Sequence, residues 1–213
     1  MGTWILLALC GCADLNADQH SVLGRALLTP PTVHVRIDQD GGLSRLQLRL
    51  VLEEIQSIWE PAGVAVTSGR YADPVHRGSA VVSLRVVGEQ LPGGGQPTLG
   101  WVPADVDEQH TPIIFVSRPA LNTLLAAVLF RGLPVSARPM ALREELAARA
   151  IGRVAAHELG HYFLRARDHD ARGLMRPHYS AGDLMAPSIA PFQIRAADRS
   201  FQQHEVARVS ARR

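Results

Sequence analysis

The segment 143–164 constrains the chain most, because it reads as one unbroken helix and that helix carries His157-Glu158-Leu159-Gly160-His161. Leu146, Ile151, Val154 and Leu159 recur at helical spacing and supply a face for packing. Residues four apart project from the same side of a helix, so His157 and His161 can reach one metal ion while Glu158 points beside it. Glu144 and Glu145 fall in the expected first turn, the end at which carboxylates suit the helix dipole.

Around this helix the chain offers mostly short extended segments. Val33-His34-Val35-Arg36-Ile37 alternates apolar and polar residues, the pattern of a half-buried strand. Residues 43–59 place Leu46, Leu50, Val51, Ile55 and Ile58 at helical spacing between the turn residues Asp40-Gly41-Gly42 and Pro61-Ala62-Gly63. Strands are expected at 64–66, 81–87, about 99–102 and 113–116, with a surface loop at Pro92-Gly93-Gly94-Gly95-Gln96-Pro97. The apolar run 121–130 fits a buried helix or a flap. Beyond the long helix, Gly173, Pro177, Gly182, Pro187 and Pro191 break the chain until a closing helix over about 196–209. A β-rich lobe, one long helix and an irregular lobe with a terminal helix make an α+β domain with a cleft between the lobes.

A length of 213 residues with 46% hydrophobic and 20% charged residues suits one domain and excludes disorder, a collagen-like chain or a multi-span membrane protein. The basic residues are all Arg, and the net charge of +2 is scattered, whereas a nucleic-acid footprint needs basic charge clustered on one face. Both cysteines, Cys10 and Cys12, lie near the start, so no disulfide framework or cysteine metal site holds the domain. The apolar run Trp4-Ile5-Leu6-Leu7-Ala8-Leu9 is far shorter than the ~20 residues of a membrane span and reads as the core of a secretory signal. No Arg precedes it, a departure from the usual signal. Leu9-Cys10-Gly11-Cys12 resembles a bacterial lipobox, which implies Cys12 as the lipidated first residue of the mature chain. The expected organisation is a signal at 1–12, a linker at 13–31 and one domain at 32–213. The protein is then extracytoplasmic, secreted or held at the membrane only through a lipid on Cys12.

Two histidines and a carboxylate leave a catalytic zinc site one ligand short, since such a site normally takes three protein ligands and keeps a fourth position open. His169 is the best third ligand, eight positions after His161, where the chain can turn back past the helix end. With one zinc ion there, Glu158 becomes the general base for a zinc-bound water attacking a peptide carbonyl. Asp168 and Asp170 flank His169 and can orient its ring. His34, His76, His110 and His204 have no partner at metal spacing and read as structural or solvated.

On His157, Glu158, His161, His169 and the following Gly173-Leu174-Met175, the sequence resembles the metzincin zinc peptidases, the matrixin-like members among them. The likeness spans roughly 33–185 in element order, with its specific residues between 157 and 175. It implies a mixed, twisted sheet of about five strands packed on the active-site helix. It also implies that Met175 forms the turn beneath the metal and that an edge strand around 98–103 pairs with extended substrate. Leu164 stands where the family has a turning glycine and Arg167 where it has its third histidine, so the bend should come later, in 165–168. Gly182-Asp183-Leu184-Met185 is a second, lower-ranked place for the methionine turn. Tyr179 is either a donor to the transition state or a pocket wall, the latter favoured.

These readings describe a zinc endopeptidase acting on a peptide or protein, a monomer without a nucleic-acid partner. Two alternatives stay open. One is a zincin of another clan, with a carboxylate such as Asp183 or Glu205 as third ligand; the other is a non-catalytic zinc module completed by His178.

Overall fold

The computed structural model describes residues 30–37, 41–69, 75, 79–92, 98–103, 111–126, 128–164 and 169–194. The signal and lipobox, most of the linker, the glycine loop at 93–97, the bend at 165–168 and the closing helix at 196–209 lie outside these residues.

β1 (Thr32–Ile37) is followed by α1 (Arg45–Trp59). Ser44 opens α1 with a reciprocal cap: its hydroxyl accepts from the Gln47 amide, and Gln47 Oε1 accepts from the Ser44 amide at 2.9 Å. Val51, Ile55 and Ile58 are buried as the helical spacing anticipates and Trp59 joins them, whereas Leu46 is exposed and Leu50 half-buried. Then come β2 (Ala65–Gly69), β3 (Ser79–Val87), β4 (Gly100–Trp101) and β5 (Ile113–Ser117). The five strands make one mixed sheet in the order β2-β1-β3-β5-β4. β1, β2, β3 and β5 run parallel, and the two-residue β4 lies antiparallel on the outer side of β5, with Gly100 opposite Val116.

The ambiguous run at 121–130 divides. Its first part belongs to α2 (Arg118–Ala126), and its end forms a small hairpin of β6 (Leu129–Phe130) and β7 (Leu133–Pro134). α3 (Met140–Leu164) starts three residues earlier than the periodicity indicates, because the Pro139 carbonyl already accepts from the Arg143 amide. Glu144 and Glu145 therefore sit beyond the first turn, and the expected dipole contribution is replaced by a local pair between Glu145 and Arg149 at 2.8 Å.

From Ala150 to Gly160 every residue of α3 is buried, as expected of a helix enclosed on all sides rather than lying on a surface. α1 packs along it so closely at Gly152 that a Cβ there would lie 2.7 Å from Glu54 Cβ and 2.8 Å from the Val51 carbonyl. Val35, Val82, Leu84, Ile114 and Val116 of the sheet join Ile55, Trp59, Leu146, Ile151, Leu159 and Phe163 in one core. The chain after α3 continues as irregular segments around a short helix that packs on α3, α4 (Ala181–Met185). This is an α+β fold with a five-stranded mixed sheet. None of the described helices is long and apolar enough to cross a membrane.

Candidate metal centre

α3 places His157 and His161 one turn apart, with ring centroids 4.6 Å from each other. His169, on the segment that follows the helix, joins them at 5.4 Å from His157 and 4.8 Å from His161. His161 Nε2 and His169 Nε2 are 3.2 Å apart, and one nitrogen from each of the three rings lies within 4.8 Å of the others. Ligand nitrogens about one tetrahedral zinc stand roughly 3.3 Å apart, so closing the set requires only small ring movements. His157 Nδ1 lies 2.6 Å from the Leu174 carbonyl. A carbonyl has no proton to give, so Nδ1 donates and the Nε2 lone pair is left for a cation. Burial pushes His157 down to about 4, which keeps its ring neutral. Three imidazoles converging in this way are a zinc-type donor set, so the residues fit the ion that the motif implies.

Glu158 is buried next to His157 on α3, against the edge of the sheet. A Cβ at Gly100 of β4 would fall 2.5 Å from Glu158 Oε1 and 2.6 Å from Val154 Cγ1, so the strand lies against the carboxylate through a residue without a side chain. Burial pushes the Glu158 carboxyl up to about 8. A cation held by the three rings would draw it down again by favouring the charged form.

Beneath the site, Gly173 adopts a left-handed φ of +80° and turns the chain so that buried Met175 comes up under α3. The Met175 sulfur occupies the space that a side chain at Gly160 would need. The Asp170 amide donates to the Met175 carbonyl at 2.8 Å and closes the loop.

Tyr179 turns its hydroxyl inward. It donates to the Leu174 carbonyl and, at 3.3 Å, to the Gly173 carbonyl. Burial pushes the phenol above its ordinary range, so it stays a donor. Its ring lies perpendicular to that of His157 with centroids 5.7 Å apart, stacks on Phe192 at 4.7 Å, and is covered by the Arg176 guanidinium at 4.4 Å.

The remaining candidates are placed elsewhere. His178 is exposed and outside the histidine cluster. Asp183 caps α4 through Ser180 and pairs with Arg176 at 2.8 Å. Burial raises its carboxyl, but the Ser180 hydrogen bonds and Arg176 outweigh that and hold it below the ordinary carboxylate range. Gly182, Leu184 and Met185 belong to α4, so that segment is helix rather than a turn under the metal. His34 is buried in β1, with Nδ1 3.0 Å from Thr67 Oγ1. His76, His110, His204, Glu205 and Asp168 lie outside the described residues.

Gly100, Gly160 and the Leu174 carbonyl are the participants that sequence reasoning missed. Gly160 left a signal, since a glycine inside a helix costs about 1 kcal/mol relative to alanine and so points to a close approach. A backbone carbonyl leaves none.

No protein-family model matches the sequence, and the search of curated proteins found no significant relative. Among solved structures, the chain is similar to the archaemetzincin of Methanopyrus kandleri at 15% identity and a TM-score of 0.47, over 84% of this chain and 97% of that one. It is also similar to metalloproteinase-II of Bacteroides fragilis at 10% identity and a TM-score of 0.46, over 84% of this chain and 54% of the other.

Proposed function

We propose that the chain is a zinc-dependent endopeptidase of matrixin-like metzincin type, with His157, His161 and His169 as ligands, Glu158 as general base and Met175 as the turn methionine. The convergence of three imidazole nitrogens within 4.8 Å beside a buried carboxylate carries this reading. Three protein ligands suit a catalytic site, whereas a structural zinc takes four. The fourth histidine that would close such a site, His178, is exposed, and the carboxylate rival Asp183 is engaged by Ser180 and Arg176.

Zinc supplies a Lewis acid that polarises a carbonyl and acidifies water near neutrality. The chain's own residues supply the rest. Glu158 takes a proton from the attacking water and returns it to the leaving amine, a task suited to a carboxylate kept out of bulk solvent. β4 is an edge strand of the sheet, and its backbone can pair with an extended peptide directly beside Glu158. Leu174 holds the tautomer of His157, and Met175 braces α3 at Gly160.

The substrate is a peptide or protein, and the domain over 32–213 acts as a monomer without nucleic acid. The run Trp4–Leu9 ahead of Cys12 supports an extracytoplasmic site of action, secreted or anchored by a lipid on Cys12. Mass spectrometry of the protein from its native host should find the first residues removed or Cys12 acylated; an intact, unmodified residue 1 overturns export.

The role assignment is tested by substitution. His157→Ala, His161→Ala and His169→Ala should each lose bound zinc. Glu158→Gln should keep zinc and lose peptide hydrolysis by about 10²–10⁴-fold, the usual share of a general base. Equal zinc loss in Glu158→Gln and His157→Ala would refute the division between base and ligand.

A further inference from the structure

The Leu174 carbonyl is shared by two donors. His157 Nδ1 approaches it at 2.6 Å, and the Tyr179 hydroxyl donates to the same oxygen while also reaching the Gly173 carbonyl. Tyr179 is itself clamped. Phe192, fully buried, stacks on one face of its ring, and Arg176, anchored by Asp183, covers the ring at 4.4 Å. The Leu174 amide, in the preceding peptide, donates to the Gln193 carbonyl at 3.1 Å, so residue 174 is also tied to the segment that follows α4. The hydroxyl that could have faced a substrate is spent on the backbone under His157.

We propose that Tyr179 is a positioning residue: through the Leu174 carbonyl it fixes the direction and the tautomer of His157, and so the lone pair that this histidine presents to the other two. A buried carbonyl with two lone pairs is best satisfied by two donors. Removing one frees the peptide at residue 174 to tilt and weakens its hold on the Nδ1 proton. The partner of a ligating histidine's second nitrogen typically sets metal affinity by 10–100-fold. The inference rests on the zinc-site reading above.

Tyr179→Phe is the appropriate variant, because it keeps the ring on Phe192 and deletes only the hydroxyl. Zinc affinity is measured by competition with a chelator, and the His157 tautomer is read by nuclear magnetic resonance of nitrogen-labelled histidine in the metal-free full chain. Tyr179→Phe should bind zinc about 10–100-fold more weakly at unchanged stoichiometry. Its metal-free His157 signal should move from a single Nδ1–H tautomer towards a mixture. Unchanged affinity together with an unchanged tautomer overturns the proposal and leaves the zinc site standing. If the unsubstituted chain takes up no zinc but the tautomer responds to Tyr179→Phe, the zinc reading falls and the positioning role stands. The unsubstituted metal-free chain gives a further check independent of any variant: the Tyr179 hydroxyl proton should exchange slowly with solvent, and fast exchange would overturn the proposal.

Discussion

Glu158 and His157 are neighbours on α3, and burial drives their protonation in opposite directions. Glu158, raised from 4.5 to about 8, favours the metal-free fold while it is protonated. That contribution is complete below about pH 4.5 and is lost as pH climbs towards 8. His157, lowered from 6.5 to about 4, contributes stability above pH 6.5 that is lost as pH falls towards 4. Zinc needs neutral rings and is best served by a charged Glu158, so it should raise the melting temperature more at pH 8 than at pH 5.5. A zinc-induced shift that stays constant across that range would contradict both assignments. In Glu158→Gln the metal-free protein should lose the part of its destabilisation between pH 5 and pH 8 that Glu158 causes, visible as a flatter profile of melting temperature against pH.

The element that organises the site is α3, and its glycines mark where other elements touch it. Gly152 meets α1 and Gly160 meets Met175, so the helix is pressed from two directions through residues without side chains. Gly152→Ala adds a methyl group 2.7 Å from Glu54 Cβ in a rigid helix contact, where the backbone cannot yield cheaply. The expected cost is about 1–3 kcal/mol, despite alanine's better helix propensity. For a domain of this size that lowers the melting temperature by very roughly 2–12 °C, measurable by calorimetry. An increase in stability would mean that propensity outweighs the contact. The helix itself was legible from its spacing, since Leu146, Ile151, Val154 and Leu159 follow a local rule. Its start was not, because the Pro139 cap leaves no periodic signature. The division of 121–130 into helix end and hairpin was equally hidden, as an apolar run fits either.

Across the whole molecule, Arg153 joins the layers. Fully buried on α3, it pairs with Glu54 of α1 at 2.6 Å, donates to the Asp183 and Ser188 carbonyls, and lies over the Phe192 ring at 4.6 Å. Arg153→Met leaves Glu54 without this partner and two carbonyls unsatisfied, a change expected to cost ~3–5 kcal/mol. Urea denaturation should register that loss, and limited proteolysis should cut the variant faster near 183–190; a change below about 1 kcal/mol would mean the cluster is dispensable. Nothing in the sequence singled out Arg153 from the other arginines, because its partners come from segments 99, 30 and 35 residues away. The sequence by itself determined the long helix, the pairing of His157 with His161 and the place of Glu158 beside them, since all three follow from spacing within one helix. It also ranked His169 first for the third position and Met175 first for the turn, leaving His178, Asp183, Glu205 and Met185 as alternatives. Tertiary structure alone decided that His169 Nε2 comes within 3.2 Å of His161 Nε2, that Gly100 lies against Glu158 and that the Leu174 carbonyl meets both His157 and Tyr179. Those contacts join α3 to other segments rather than residues within one helix, and a backbone carbonyl or an absent side chain has no chemistry to declare until the fold brings a partner to it.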